Sequence, residues 1–141
     1  MIRTVLLLLL LSSCSDLAPE RTAARDPGGS VLLRAAEIAA LERRGMEKRI
    51  AGECLSACTL YLGLSTACFE EGATLGFHGP RLVVGRPLPD AQARRLAAFM
   101  ASYYPPRVAE WFMAEARFSR RMIRVPAAEL VARGEARACP A

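Results

Sequence analysis

The chain has 141 residues, 52% of them hydrophobic and 23% charged, with 19 basic against 14 acidic side chains and a formal net charge of +5. That length suits one domain, and so large an apolar fraction excludes a disordered chain. All basic residues except Lys48 are arginine, and the single Trp and three Tyr are not interleaved with a basic run, which disfavours nucleic-acid binding.

In chain order, Arg3 precedes an unbroken apolar run over residues 5–11, followed by Ser12, Ser13 and Cys14. A membrane-spanning helix needs roughly 20 apolar residues, so residues 1–13 read as a signal peptide. Leu11-Ser12-Ser13-Cys14 resembles the bacterial lipobox, in which the cysteine becomes diacylated. Cys14 is then the first mature residue and its acyl chains are the membrane anchor. Ser15 after that cysteine, by resemblance to Gram-negative sorting rules, implies the periplasmic side of the envelope at the outer membrane. An ordinary signal peptide with a chance cysteine is the competing reading. Cys54, Cys58, Cys68 and Cys139 remain, an even number in an oxidising compartment, so disulfides in one of three pairings are expected. Four thiolates also suit zinc, but no CxxC knuckle occurs, and neither a metal nor another cofactor is expected.

Residues 14–25 read as a polar tether and residues 26–141 as the folded domain. Ser30 is an N-cap candidate for a helix with a wide apolar face that stops at Arg43-Arg44-Gly45, with basic residues in its last turn and Gly just past it. Residues 48–51 read as a short strand, residues 56–64 as a buried helix, and Cys68-Phe69 and residues 74–77 as strands, the latter ending at His78-Gly79-Pro80. After a Pro/Gly-rich loop to Pro89, Asp90 caps a helix to about Tyr103. Pro105-Pro106 breaks it and opens another through Met113, and Pro126 starts a last helical turn or two ended by Gly134. Tyr103-Tyr104 and Trp111-Phe112 read as core or subunit contact. Alternating helices and short apolar strands make the class α/β with a short, mostly parallel sheet and packed helices.

Three islands carry chemistry: Asp26-Pro27-Gly28-Gly29-Ser30, then Gly52-Glu53-Cys54-Leu55-Ser56-Ala57-Cys58, then Gly76-Phe77-His78-Gly79. Ser56 falls where a strand turns into a helix, which puts its hydroxyl at a positively polarised helix start on an exposed elbow. His78, the only histidine, falls at the carboxyl end of a strand, where parallel-sheet proteins build their sites. Paired glycines ahead of a helix let a backbone N–H face a cavity without a Cβ in the way.

The order of PGG loop and helix, GxxxSAC elbow and strand ending in Phe-His resembles the Clp protease proteolytic subunit and crotonase superfamily, in particular its small secreted Clp-like members. The resemblance covers roughly residues 26–134, including the closing segment from Val125 to Gly134. It implies Ser56 as nucleophile, His78 as general base, and the N–H groups of Gly29 and Ala57 as the oxyanion hole. It also implies the disulfide pairing Cys54 with Cys58 and Cys68 with Cys139, because in that fold the segment after the last helix returns beside the strand that follows the elbow helix. Two departures stand out. The family's orienting Asp precedes the closing helix, where this chain has Arg120-Arg121-Met122-Ile123-Arg124. Such a loss costs more than about 10³-fold in a Ser-His-Asp triad. The family also places strands before the PGG loop, and residues 14–25 show none, so an open sheet edge is expected to recruit a second copy or a sheet-completing partner.

Asp90, Glu110, Glu115 and Glu129 are candidate substitutes for the acid, each otherwise a solvated helix residue. Arg117, Arg120, Arg121 and Arg124 suit anionic lipid or cell-wall groups, or simply a solvated face. The expected function is a secreted Clp-like lipoprotein acting as a serine hydrolase, peptidase or esterase, through a Ser-His dyad, with a peptide among its expected substrates. The alternative is a non-catalytic Clp-fold envelope lipoprotein that serves as a binding or assembly module.

Overall fold

Strand β1, Arg25–Asp26, opens the computed structural model, which describes residues 25–82 and 86–140. The signal peptide, the lipidation of Cys14 and the tether expected up to residue 24 are readings that lie outside the described residues. Arg25 itself is a correction: instead of ending a tether it pairs in parallel with Glu53 of β3, Glu53–Leu55. The pairing is made by two residues' backbone and by an Arg25–Glu53 ion pair of 3.3 Å, so no apolar alternation announces it.

Helix α1, Val31–Arg44, has both expected punctuation marks. Ser30 Oγ accepts from Leu33 N–H at 3.3 Å, and Gly45 closes the helix in the left-handed region with φ 61°. The chain then forms β2, Lys48–Ile50, crosses at Gly52 to β3, and enters the segment Ser56–Gly63. The buried helix read from residues 56–64 takes the 3₁₀ form, with Ala57, Cys58, Thr59, Leu60 and Tyr61 all buried. Strand β4, Ala67–Phe69, pairs in parallel with β2, and β5, Thr74–Phe77, pairs in parallel with β3.

Helices α2, Asp90–Ala101, and α3, Pro106–Ala114, stand where the Pro-Pro break puts them, although Pro89 takes the cap position and Asp90 the first turn of α2. A short 3₁₀ turn, Ala116–Phe118, leads to β6, Ile123–Pro126, which pairs antiparallel with β5, and then to α4, Ala127–Ala132. The sequence reading missed β6 because the arginine run obscures the alternation of half-buried Ile123 and Val125 with exposed Arg124 and Pro126.

The result is an α/β fold with a mostly parallel mixed sheet in the order β1-β3-β5-β6, a second two-stranded sheet β2-β4, and packed helices. The core is aromatic beneath the carboxyl end of β5. Phe77 meets Tyr104 and Trp111 edge-on, and Tyr104 meets Phe112 the same way, with ring centroids 5.2–5.6 Å apart. The C-terminal tail returns beside β4, where Phe69 N–H donates to Arg137 O at 2.8 Å and Cys139 N–H donates to Phe69 O at 3.0 Å. There Cys68 is bonded to Cys139 with a Cα separation of 4.7 Å, and Cys54 is bonded to Cys58 at 5.2 Å, both in the range a disulfide requires.

Candidate active site at the ends of β3 and β5

Ser56 leaves the carboxyl end of β3 and His78 that of β5. These strands are parallel neighbours with Leu55 opposite Gly76, so both residues emerge at the same end of the sheet. No hydrogen bond joins the Ser56 hydroxyl to the His78 ring among the described residues.

Ser56 has φ 55°, alone among the described non-glycine residues in the positive region. A serine held there carries about 1–3 kcal/mol of strain, which the surroundings must impose. The Cys54–Cys58 disulfide spans it from both sides. From below, Thr59 Oγ1–H donates to the Ser56 carbonyl at 2.7 Å, and Thr59 Oγ1 lies 2.7 Å from Tyr104 Oη. A carbonyl only accepts, so Thr59's single proton goes to Ser56 and Tyr104 donates to Thr59. Burial pushes the Tyr104 phenol well above its ordinary pKa, which keeps that proton in place.

The glycine loop lies against this elbow. Gly28 has φ 96°, and a Cβ there would stand 2.4 Å from the Leu55 carbonyl oxygen and 2.7 Å from the Ala57 nitrogen. Only a residue without a side chain permits that approach. Gly28 N–H donates to Asp26 Oδ1 at 2.8 Å, while Arg34 Nη2 donates to Asp26 Oδ2 at 2.7 Å and to Gly28 O at 3.3 Å. Arg34 Nη1 continues to Tyr61 Oη at 2.6 Å, and Tyr61 O–H donates to Glu37. Burial opposes the charge on Arg34, yet Tyr61, Asp26 and Glu37 together raise its pKa, so the guanidinium stays charged and the loop stays clamped to α1. The Gly29 N–H makes no hydrogen bond among the described residues, and Ala57 N–H is the donor next after Ser56.

His78 is 7% exposed. Its Nδ1 lies 2.6 Å from the Gly79 carbonyl oxygen, which can only accept, so the neutral ring carries its proton on Nδ1 and its lone pair on Nε2. Burial holds the imidazole pKa below its ordinary value; the Gly79 bond works against that and Arg81 works with it. Gly79 is fixed in turn: its N–H donates to Ser119 O at 3.0 Å, and a Cβ there would stand 2.0 Å from the Arg117 carbonyl oxygen. Asp90, Glu110, Glu115 and Glu129 are exposed, and none of them hydrogen-bonds to His78. Among the described residues, no group of three His, Cys, Asp or Glu side chains is placed to hold a metal ion.

Sequence reasoning missed Thr59, Tyr104, Arg34 and the Gly79 carbonyl. The first three act over separations that leave no local pattern, and a backbone acceptor has no residue signature. No protein family, curated protein or solved structure compared with the chain matches it.

Proposed function

We propose that the chain is a Clp-like serine hydrolase of the cell envelope, a peptidase or esterase that uses a Ser56–His78 dyad. The observation that carries this reading is the left-handed backbone of Ser56, braced by a disulfide and a buried hydroxyl pair and set on the strand beside the one that ends in the only histidine. Strain of this kind is kept where geometry matters more than stability.

In the proposed reaction His78 Nε2 takes the Ser56 Oγ proton as the oxygen attacks an acyl carbon. The Gly29 and Ala57 N–H groups receive the developing oxyanion, and the imidazolium returns its proton to the leaving group. Water then repeats the sequence on the acyl-serine. The Gly79 carbonyl takes over one task of the missing carboxylate, since it sets the tautomer and accepts from Nδ1–H of the imidazolium. It brings no full negative charge, so the dyad is expected to be slower than a triad.

A lowered imidazole pKa has a readable consequence. The rate of acylation by a p-nitrophenyl ester should rise with pH through a midpoint below 6.5, the ordinary value. His78→Gln should remove that dependence and cost about 10²- to 10⁴-fold in rate. The same shift acts on stability: a folded state that resists protonation becomes less stable as pH falls from 6.5 toward the lowered value, and levels off below it. Equal rates for His78→Gln and the parent chain would remove His78 from the mechanism.

The finer assignments belong to the same proposal: Clp/crotonase-like topology, a lipid anchor on Cys14, and a place on the periplasmic side of the outer membrane. A second reading, the non-catalytic binding or assembly module, draws on one observation. Strand β1 has only two residues and stands at the edge of the sheet, where a second copy or a sheet-completing partner has backbone groups to pair with.

A further inference from the structure

A cleft of about 660 Å³ opens beyond His78, between the segment that follows β5, the first turns of α2, and the turn after α3. Four guanidinium groups line it, from Arg81, Arg94, Arg117 and Arg120, against a single carboxylate, Asp90. Among the described residues none of the four has an acidic partner within 4 Å, so the concavity they share keeps an excess of positive charge. Arg117 is held in place by its Nε–H, which donates to Met113 O at 2.7 Å, and by its guanidinium carbon 3.9 Å over the Phe118 ring. That arrangement leaves its two terminal nitrogens for another acceptor. Between the charges the walls are apolar, with Pro80, Leu88 and Ala97 among them.

The cleft adjoins the candidate active site through Gly79. Gly79, whose carbonyl orients the His78 ring, lines its inner end, and the Gly79–Ser119 hydrogen bond joins two of its walls. An occupant would therefore lie against Gly79, one residue from the imidazole. Guanidinium groups present paired N–H donors that match carboxylate oxygens, and a groove that alternates such groups with apolar wall suits an extended chain with acidic and apolar side chains.

We propose that this cleft is a substrate subsite for acidic peptide segments, in which carboxylate side chains beside the scissile bond are received by Arg94, Arg120 and the neighbouring Arg81 and Arg117. The assignment rests on the Ser56–His78 reading for the word substrate, but the binding itself does not depend on catalysis. Ser56→Ala in the full mature chain separates the two, because it binds without turnover.

The test is fluorescence anisotropy of that variant with a rhodamine-labelled hexapeptide carrying two Glu, against the same peptide with Gln in their place. The acidic peptide should bind about tenfold more tightly at low salt, the size expected of two partly exposed carboxylate–guanidinium pairs. The advantage should shrink at high salt and disappear when Arg94→Gln and Arg120→Gln are added; both positions are exposed, so the fold is kept. Equal affinity for the two peptides, or a preference that survives the double change, overturns the proposal. So does displacement of the acidic peptide by phosphatidylglycerol vesicles but not by excess unlabelled peptide, which would assign the cleft to a lipid surface. Reaction of the parent chain with a serine-directed probe is read separately. A chain that binds the acidic peptide through these arginines but does not react keeps the subsite and loses the hydrolase.

Discussion

Replacing Cys68 and Cys139 together by Ala should cost roughly 4 kcal/mol of unfolding free energy, because their bridge closes a loop across a sequence separation of 71 residues. Small domains have about 5–15 kcal/mol in all, so the variant should unfold far earlier in urea while keeping the same spectrum when folded. The bridge fastens the tail to β4 at the point where two backbone hydrogen bonds join them. The Cys54–Cys58 pair has a sequence separation of only 4 and should contribute about 2 kcal/mol by the same reasoning. Its removal should instead be felt at Ser56, whose left-handed backbone lies inside that loop. Urea titration of both double variants, with the rate of ester hydrolysis measured on each, checks the contrast. A tail variant as stable as the parent chain would mean that the tail is fastened by the backbone pairing alone.

The second large effect is expected at Gly28. Gly28→Ala puts a Cβ against the backbone of Leu55 and Ala57, not against a flexible side chain, so the loop or the elbow must move. A loss of about 3 kcal/mol is expected from strain and displacement together, with acylation falling by more than about tenfold because the Gly29 donor moves with the loop. Gly29→Ala gives the comparison for stability. Its φ is 100°, but a Cβ there meets nothing within 4 Å, so the cost should be the conformational one alone, about 1–2 kcal/mol. Thermal unfolding of the two variants decides the point, and equal losses would show that the loop does not press on the elbow.

Local signals were legible in the sequence where they act locally. Ser30 and Gly45 mark α1 because a side-chain acceptor and a left-handed C-cap are properties of single residues. The paired prolines mark the α2–α3 break for the same reason. Strands β1 and β6 escaped because one is two residues long and the other carries charge on its exposed face. The 3₁₀ form of Ser56–Gly63 escaped because a segment buried at nearly every position has no helical face to reveal its period.

At the candidate site, Ser56, His78 and the glycine pair could be named from residue type and position along the chain. The support beneath them could not. Tyr104 lies 45 residues from Thr59, and Arg34 lies 27 from Tyr61, so the hydroxyl pair and the loop clamp exist only once the chain has folded. The acceptor that the His78 ring does meet, the Gly79 carbonyl, belongs to the backbone and carries no side-chain signature. The arginines after α3 divide on folding: Arg124 pairs with Glu53 at 3.1 Å on the sheet, whereas Arg117 and Arg120 turn to the cleft.

The central claim is that Ser56 is a nucleophile activated by the fold. Incubation of the folded mature chain with a fluorophosphonate probe, followed by peptide mass mapping, tests it directly. The expected result is one adduct, on Ser56, absent from Ser56→Ala, strongly reduced in His78→Gln and lost when the chain is denatured before the probe is added. A folded parent chain that takes no adduct, or one labelled equally in Ser56→Ala, would contradict it.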